Sequence, residues 1–250
     1  MKALYLIFLA IFLHSAGMAN INDDFLLAVK QGKLDTVKVL IGKGANYAVR
    51  DENGRKAIHI ASDHNYQDIL EFLVSVHTDV NAVDGDGWTP LFIAVRNGNL
   101  VLLKYLLQNN ARIDLRDRLG DSPLSIAAYR GKADIVQFLI GKKVPVDSRD
   151  LSGNTPLHQA AYKGFTNVAA MLIQNGADIN ATNFSGWTPL HRAAYANQAD
   201  TVFFLIKNQA DTLRKTSAPV KSFEAGVTAL EIAEKLKYQK IVDIIGGAED

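Results

Sequence analysis

The sequence predicts an all-α fold built from many copies of one pair of short helices. Glycines recur every 33 residues, at Gly54, Gly87, Gly120, Gly153 and Gly186. Alanines keep the same spacing, at Ala28, Ala61, Ala94, Ala127, Ala160 and Ala193. A period of this length, kept over so many copies, indicates tandem repeats of one supersecondary element.

Each copy carries signals for the start and the end of its helices. Three copies begin with Thr-Pro-Leu, at residues 89–91, 155–157 and 188–190. The threonine hydroxyl is suited to cap a helix, and proline fits its first turn, where no N–H is needed. Gly131 and Asn197 stand where first helices end, because both residue types tolerate left-handed backbone. A second helix then shows apolar residues at helical spacing, as at Leu100, Leu103, Leu106 and Leu107.

These motifs resemble those of the ankyrin repeat family. Thr-Pro-Leu-His is intact at 155–158 and 188–191, with variants at 89–92 and 122–125. The resemblance implies a single domain over 20–250, a solenoid of about seven 33-residue helix-turn-helix units with projecting β-hairpin loops. The implied repeats are 22–51, 52–84, 85–117, 118–150, 151–183, 184–226 and 227–250, of which the last is a C-terminal cap.

One repeat is longer than the others. Ala193 and Ala233 are 40 residues apart instead of 33, so the repeat 184–226 has a loop insertion of seven residues within 214–224. Insertions in repeat arrays often lie on the binding face. Lengthening a surface loop also costs little free energy, so a neutral insertion fits equally well. Both interpretations stay open.

The first 19 residues resemble a secretory signal. Lys2 precedes an apolar run of eleven residues, Ala3 to Leu13, and small residues follow at Gly17 and Ala19. An uncleaved membrane anchor is the alternative, but eleven helical residues rise only about 16 Å, roughly half of the hydrocarbon layer. We expect residues 1–19 to be removed as a signal peptide. The mature protein is then expected in the periplasm of a Gram-negative bacterium, or secreted.

Composition excludes several classes of function. The chain has 27 basic and 26 acidic residues, and loss of the signal removes one lysine, which leaves 26 of each. A balanced charge argues against a nucleic-acid-binding protein, which needs a basic face. The chain has no cysteine, which excludes disulfides, cysteine-ligated zinc and cysteine nucleophiles.

Catalysis has no candidate residues in the sequence. Three histidines share one repeat position, where the family uses the ring for hydrogen bonds between turns: His59, His158 and His191. Four carboxylates recur at 33-residue spacing and are predicted to belong to hairpin turns: Asp51, Asp84, Asp117 and Asp150. There is no phosphate-binding glycine loop and no metal-ligand spacing. We predict that the protein is not an enzyme, has no cofactor or metal, and is a monomer when unbound.

Binding does have candidates, on the concave surface that the repeats share. Tyr129, Tyr162 and Tyr195 are expected to form a column, with Arg96, Arg130 and Lys163 beside it. Trp88 and Trp187 precede capping threonines and are expected to face the same concavity. Aromatic and arginine side chains are the usual anchors of protein interfaces. The alternative is that these rings brace neighbouring hairpins.

Four further candidates lie at predicted hairpin tips: Arg118, Leu119, Leu151 and Phe184. The three apolar members of this set stand where solvation favours polar residues, so they are expected to be covered by a partner. The partner is predicted to be another protein, with no nucleic acid and no membrane bound after signal cleavage.

The sequence therefore predicts a binding scaffold that clasps one folded protein outside the cytoplasm. A natural subclass is an inhibitor or self-protection protein for a periplasmic enzyme such as a cell-wall hydrolase or peptidase. The alternative is a secreted effector that binds host proteins, or a support protein for oxidative-stress enzymes, roles that the resemblance to bacterial ankyrin proteins implies.

Overall fold

A computed structural model describes residues 21–219 and 223–247, so the predicted signal peptide lies outside the described residues. The described chain is helical with turns between the helices, and its single β-bridge residue is Phe223. The predicted all-α fold class is thus confirmed, although within the described residues the hairpin loops are closed by turns rather than by strands. None of the described helices has the length and hydropathy needed to cross a membrane.

Each predicted repeat holds one pair of helices, which we call inner and outer in chain order. The first pair consists of residues 21–30 (α1) and Leu34–Gly42 (α2). The later pairs are Ala57–Asp63 (α3) with Gln67–Ser75 (α4), Pro90–Asn97 (α5) with Leu100–Gln108 (α6), Pro123–Tyr129 (α7) with Ala133–Gly141 (α8), Pro156–Lys163 (α9) with Thr166–Gln174 (α10), Pro189–Tyr195 (α11) with Ala199–Lys207 (α12), and Ala229–Leu236 (α13) with Gln239–Gly246 (α14).

The predicted helix ends are confirmed by the backbone angles. Gly131 and Gly164, which follow α7 and α9, have φ values of 65° and 76°. Asn65 and Asn197 follow α3 and α11 in the same left-handed region, with φ values of 59° and 58°. Each of these inner helices therefore ends at a residue with left-handed backbone, and the chain turns there into the outer helix.

The chain divides into two compact units, which are described separately. Of the described residues, the first unit comprises 21–97 and 101–112, and the second comprises 98–100, 113–219 and 223–247. In the second unit α7 packs on α9, α9 on α11 and α11 on α13. Ala160 and Ala193 are fully buried there, since a methyl group lets successive inner helices approach closely. The assignment of 20–250 to one domain stays a prediction.

The four predicted aspartates each close a hairpin turn. The Oδ1 atom of Asp117 accepts the N–H groups of Leu119 and Asp121, both at 2.9 Å. The same pair of bonds recurs at Asp51, Asp84 and Asp150, and at Asn183 in the next repeat. These side chains satisfy backbone donors in the turns, which is a structural task.

Hydrogen bonds also join successive hairpins of the second unit. The N–H of Leu151 donates to the carbonyl oxygen of Leu119 at 2.9 Å, and that of Phe184 donates to Ser152 at 3.1 Å. The glycine at 153, with φ 80°, leaves the space for this approach, because a Cβ there would lie 2.9 Å from the Phe184 nitrogen. The hairpin tips are thereby fixed to one another.

Arginine side chains also hydrogen-bond successive hairpins to each other, which was not predicted from the sequence. The Nη1 atom of Arg149 donates to the carbonyl oxygens of Gly153, at 3.2 Å, and Thr182, at 2.6 Å. It therefore bridges its own hairpin and the following one. Arg116 likewise donates to the carbonyl oxygens of Gly120 and Arg149, and Arg50 donates to those of Gly54 and Val83, so each also joins its own hairpin to the next.

The three repeat-position histidines are structural, as predicted. In the buried ring of His158, Nδ1 accepts the Thr155 N–H at 3.1 Å and Nε2 donates to the Trp187 carbonyl oxygen at 2.9 Å. Burial lowers the pKa of His158 to about 4, and that of His191 also to about 4. A proton on Nδ1 would face a backbone N–H, so the ring stays neutral while it joins two repeats.

Between about pH 4 and 6.5, His158 and His191 are neutral in the folded state but protonated in the unfolded state. Their contribution to the free energy of unfolding should therefore fall as the pH drops from about 6.5 toward 4. Each ring contributes a slope of up to about 1.4 kcal/mol per pH unit in that window. His158→Gln should therefore show a shallower fall than the wild type by about that slope. Urea unfolding followed by circular dichroism at several pH values measures the difference.

His77→Asn is the matched control, since His77 is exposed and its φ of 62° suits asparagine. Its pH dependence should equal that of the wild type. If His158→Gln instead kept the full wild-type slope, the buried neutral ring would not be a source of the pH dependence.

Candidate functional site

Three apolar side chains form an exposed row at the hairpin tips of the second unit, and we call it the tip row. Leu119, Leu151 and Phe184 are 68%, 71% and 69% exposed. The inter-hairpin hydrogen bonds described above hold their backbone in a continuous line. Arg118, the fourth predicted tip residue, is also exposed and precedes Leu119 in the same turn. The structure thus brings the predicted tip residues together on one edge.

A second group of predicted residues lies on the inner helices of this unit. The Nζ of Lys163 is 4.7 Å from the ring centroid of Tyr129 and 5.9 Å from that of Tyr162, so adjacent tyrosines of the column share one cation. The guanidinium of Arg130 lies 5.7 Å from the Tyr129 centroid. Both rings are half-buried, while Arg130 and Lys163 are exposed.

Arg192 completes this group, and the sequence reasoning missed it. Its guanidinium carbon lies 4.5 Å from the centroid of the Tyr162 ring, and burial lowers its pKa. Arg192 stands at the repeat position that Ile126 and Gln159 occupy in the preceding repeats. Comparison of residue types at that one position is the signal that could have found it. We call Tyr129, Arg130, Tyr162, Lys163 and Arg192 the tyrosine–cation cluster.

The third tyrosine of the column borders a pocket. Tyr195 lines a cavity of about 390 Å³ together with Tyr162, Lys163 and Tyr238. The cavity opens where the inner helices α9, α11 and α13 end. It is large enough to hold one side chain of a bound protein.

Trp187 departs from the expectation of an exposed concave residue. It is only 3% exposed, because Phe223 covers it at a centroid separation of 6.3 Å and Tyr195 packs edge-on at 5.4 Å. Trp187 therefore braces neighbouring parts of the fold, which was the alternative to its being a contact residue. Its indole N–H is buried without a hydrogen-bond partner among the described residues.

Phe223 belongs to the loop insertion and was not predicted as a contact. Its ring is 2% exposed and also packs on Tyr195, at 6.0 Å between centroids. Thr216 pairs with the chain at the other end of the loop, since its N–H donates to the Val227 carbonyl oxygen at 3.0 Å. The described part of the insertion thus has a packing task, whereas residues 220–222 lie outside the described residues.

The remaining predicted contacts, Trp88 and Arg96, lie in the first unit. The Arg96 guanidinium is 5.2 Å from the Trp88 ring centroid, and it donates a hydrogen bond to the carboxylate of Asp63. Arg55 lies 3.6 Å from the other oxygen of the same carboxylate. Arg96 is therefore already paired with an anion within its own unit.

A buried carboxyl group adjoins the tip row at its base. Asp121 is 8% exposed, and its Oδ1 atom has no hydrogen-bond partner among the described residues. Burial, together with the negative charges of Asp117 and Asp150, raises the pKa of Asp121 to about 7. Tryptophan or asparagine occupies this repeat position at Trp88 and Asn154, so the sequence offered no reason to expect a titrating group.

Because the folded state keeps this proton up to about pH 7, Asp121 should reduce the free energy of unfolding progressively as the pH rises from about 4 to 7. Asp121→Asn removes that loss. We expect the variant to be more stable than the wild type by up to about 4 kcal/mol at pH 8, since each pKa unit corresponds to about 1.4 kcal/mol, with the difference vanishing near pH 4. Urea unfolding at the two pH values measures it.

Glu234→Gln gives the same change of charge at an exposed position of α13 and should leave the free energy of unfolding nearly unchanged. An Asp121→Asn variant no more stable than the wild type at pH 8 would contradict a protonated Asp121.

Comparison with known proteins agrees with this architecture. A family model described as Ankyrin repeats (3 copies) matches residues 25–117, 102–183 and 124–216. Protein phosphatase 1 regulatory subunit 27 of Mus musculus is 37% identical over 78 residues, which are 31% of this chain and 48% of that protein. The putative ankyrin repeat protein YahD of Escherichia coli is 31% identical over 78 residues, 31% of this chain and 39% of that protein.

Myotrophin of Xenopus tropicalis is 37% identical over 54 residues, 22% of this chain and 46% of that protein. The matches thus span about half or less of each of these relatives. The family model, in contrast, covers the chain from 25 to 216 in overlapping matches. This coverage, with the paired helices and the turn geometry, shows that the chain belongs to the ankyrin repeat family.

Proposed function

We propose that this protein is a non-catalytic scaffold that binds one folded protein outside the cytoplasm, through the tip row and the inner-helix face of its second unit. The observation that carries the proposal is the tip row. Three large apolar side chains, each about 70% exposed, lie at turns whose backbones are hydrogen-bonded to one another. Exposed apolar surface that is grouped on one edge marks interaction sites in soluble proteins.

The rigidity of the tips supports the same proposal. The N–H of Leu151 bonds to Leu119 and that of Phe184 bonds to Ser152, so the backbone of the row is fixed before any partner arrives. A preformed surface loses little conformational entropy on binding. Burial of the three side chains then contributes at about 25 cal/mol per Å² of apolar area.

The partner that we propose is a periplasmic enzyme, which the scaffold would inhibit or shield, as a self-protection protein does. The apolar run at 3–13 supports export. One relative, protein phosphatase 1 regulatory subunit 27, is by its name a regulatory subunit of an enzyme. A cell-wall hydrolase or a peptidase is the kind of enzyme that a cell would need to restrain there.

Substitution of the tip row should strongly reduce capture of the partner. In the full chain, Leu119→Ser, Leu151→Ser and Phe184→Ser together should reduce partner recovery from a periplasmic extract by at least about tenfold, because interface anchors of this size each contribute about 1–2 kcal/mol. Ser152 and Ser185 already stand at the position equivalent to Leu119, and Ser217 makes the same backbone hydrogen bond as Leu151 and Phe184, so both turn positions accept serine. Quantitative mass spectrometry of the co-purified proteins is the measurement.

Val101→Ser with Phe203→Ser is the control, since these apolar side chains are exposed on outer helices and not on the tips. The control should recover the partner as the wild type does. Undiminished recovery by the tip-row variant would exclude the row as the contact.

Export predicts a defined N-terminus. When the full chain is expressed in a Gram-negative host, intact-mass analysis of the periplasmic fraction should show a chain that begins at Asn20. A membrane-bound chain that still carries Met1 would contradict cleavage. Mature protein found mainly in the culture medium would favour a secreted effector over a periplasmic inhibitor.

A further inference from the structure

We propose that the tyrosine–cation cluster binds an acidic, extended segment of the partner protein, with carboxylates placed about three residues apart. This inference rests on the proposed binding function and names the chemistry of the partner. It uses the three cations of the second unit that lie against tyrosine rings, Arg130, Lys163 and Arg192.

None of these three cations has an anionic partner among the described residues. In the second unit, Arg214 pairs with Asp211 and Lys240 pairs with Asp200, away from the cluster. The cluster instead holds its cations over ring faces, at 4.7 Å for Lys163 on Tyr129 and 4.5 Å for Arg192 on Tyr162. A cation over a ring keeps its charge available to an anion on its other side.

Within the described part of the chain, Arg192 has an unpaired hydrogen-bond donor, which independently supports an anionic ligand at the cluster. Its Nε atom is buried and has no hydrogen-bond acceptor among the described residues. A buried donor without an acceptor costs free energy, and a guanidinium prefers the paired oxygens of a carboxylate. An incoming carboxylate would supply the acceptor at this point of the face.

The carboxylates on this face do not fill that role. Asp150 is the acid whose charge acts on Arg192, but its Oδ2 accepts hydrogen bonds from Asn154 at 2.9 Å and Gln159 at 3.3 Å. Asp121 is held protonated up to about pH 7 and lies at the hairpin end of the unit. Glu231 and Glu234 lie on α13, where Glu231 caps its own helix. The cluster therefore remains a positive strip.

The spacing of the repeats sets the spacing of the ligand. Arg130 and Lys163 occupy the same position of successive repeats, whose inner helices pack side by side. Packed helices lie about 10 Å apart, and an extended chain in the polyproline II conformation rises about 3.1 Å per residue with three residues per turn. Carboxylates three residues apart in that conformation lie on the same side of the segment, about 9 Å apart, and thus match the cations. The cavity of about 390 Å³ beside Lys163 can take a side chain at the end of that segment.

The test is a titration of the mature full-length protein with a synthetic peptide in which aspartate occupies every third position among glycine and serine. Amide chemical shifts from nuclear magnetic resonance report binding even at a Kd of about 1 mM. We expect the shifts to centre on residues 129–131, 162–164 and 192, and the affinity to fall when the salt concentration rises.

Lys163→Gln with Arg192→Gln should weaken the affinity about tenfold, since two exposed or half-exposed charge pairs are lost. Lys163→Gln with Arg130→Gln tests the same strip at exposed positions, where substitutions change the stability of the fold little, and should weaken the affinity in the same direction. The matched control is Lys142→Gln with Lys207→Gln. These two lysines also lie over aromatic rings, at 5.5 and 5.1 Å, but near the ends of outer helices.

Three results would overturn the proposal. These are no shift at the cluster with up to several millimolar peptide, an equal loss of affinity in the Lys142/Lys207 control, or equal affinity for a peptide with the same aspartates in one contiguous block. Partner capture separates this inference from the proposed function. A partner captured equally by the wild type and by the Lys163/Arg130 variant would refute the acidic segment alone, whereas capture of no partner by the wild type would refute the scaffold.

Discussion

A buried, neutral histidine ring fixes the register between successive repeats, and the proposed recognition surface depends on that register. His158 accepts the N–H of Thr155 at the start of its own inner helix and donates to the carbonyl oxygen of Trp187 in the next repeat. His191 makes the corresponding contacts with Thr188 and Val227. Each ring therefore holds one helix start at a set distance from the following turn, which brings the hairpin tips within hydrogen-bonding reach of one another.

This arrangement separates residues that build the repeat from residues that can recognise a partner. Turn aspartates, arginines such as Arg149, and the histidines use their polar atoms within and between repeats. Other positions do not make these hydrogen bonds within and between repeats, and their residue types differ from copy to copy. Leu151 and Phe184 stand at the tips in this way, and Arg192 stands on an inner helix. Specificity in a repeat scaffold then resides in a few exposed side chains on a common frame.

Periodicity decided how much could be predicted from the sequence. The helix pairs, the left-handed helix ends at Gly131 and Asn197, and the structural histidines all repeat, so each copy supports the interpretation of the others. The position of Trp187 did not follow, because the ring that covers it, Phe223, comes from the aperiodic insertion. The raised pKa of Asp121 depends on charges contributed by separate turns, Asp117 and Asp150, which no single motif displays.

The central claim is that the second unit presents one recognition face, formed by the tip row and the inner helices. Hydrogen–deuterium exchange of the protein with and without its captured partner tests this most directly, because exchange reports local protection by backbone position. The account predicts new protection at residues 117–121, 150–154 and 183–187 and at the ends of α7 and α9, with the outer helices α8, α10 and α12 unchanged. Protection confined to those outer helices would contradict it.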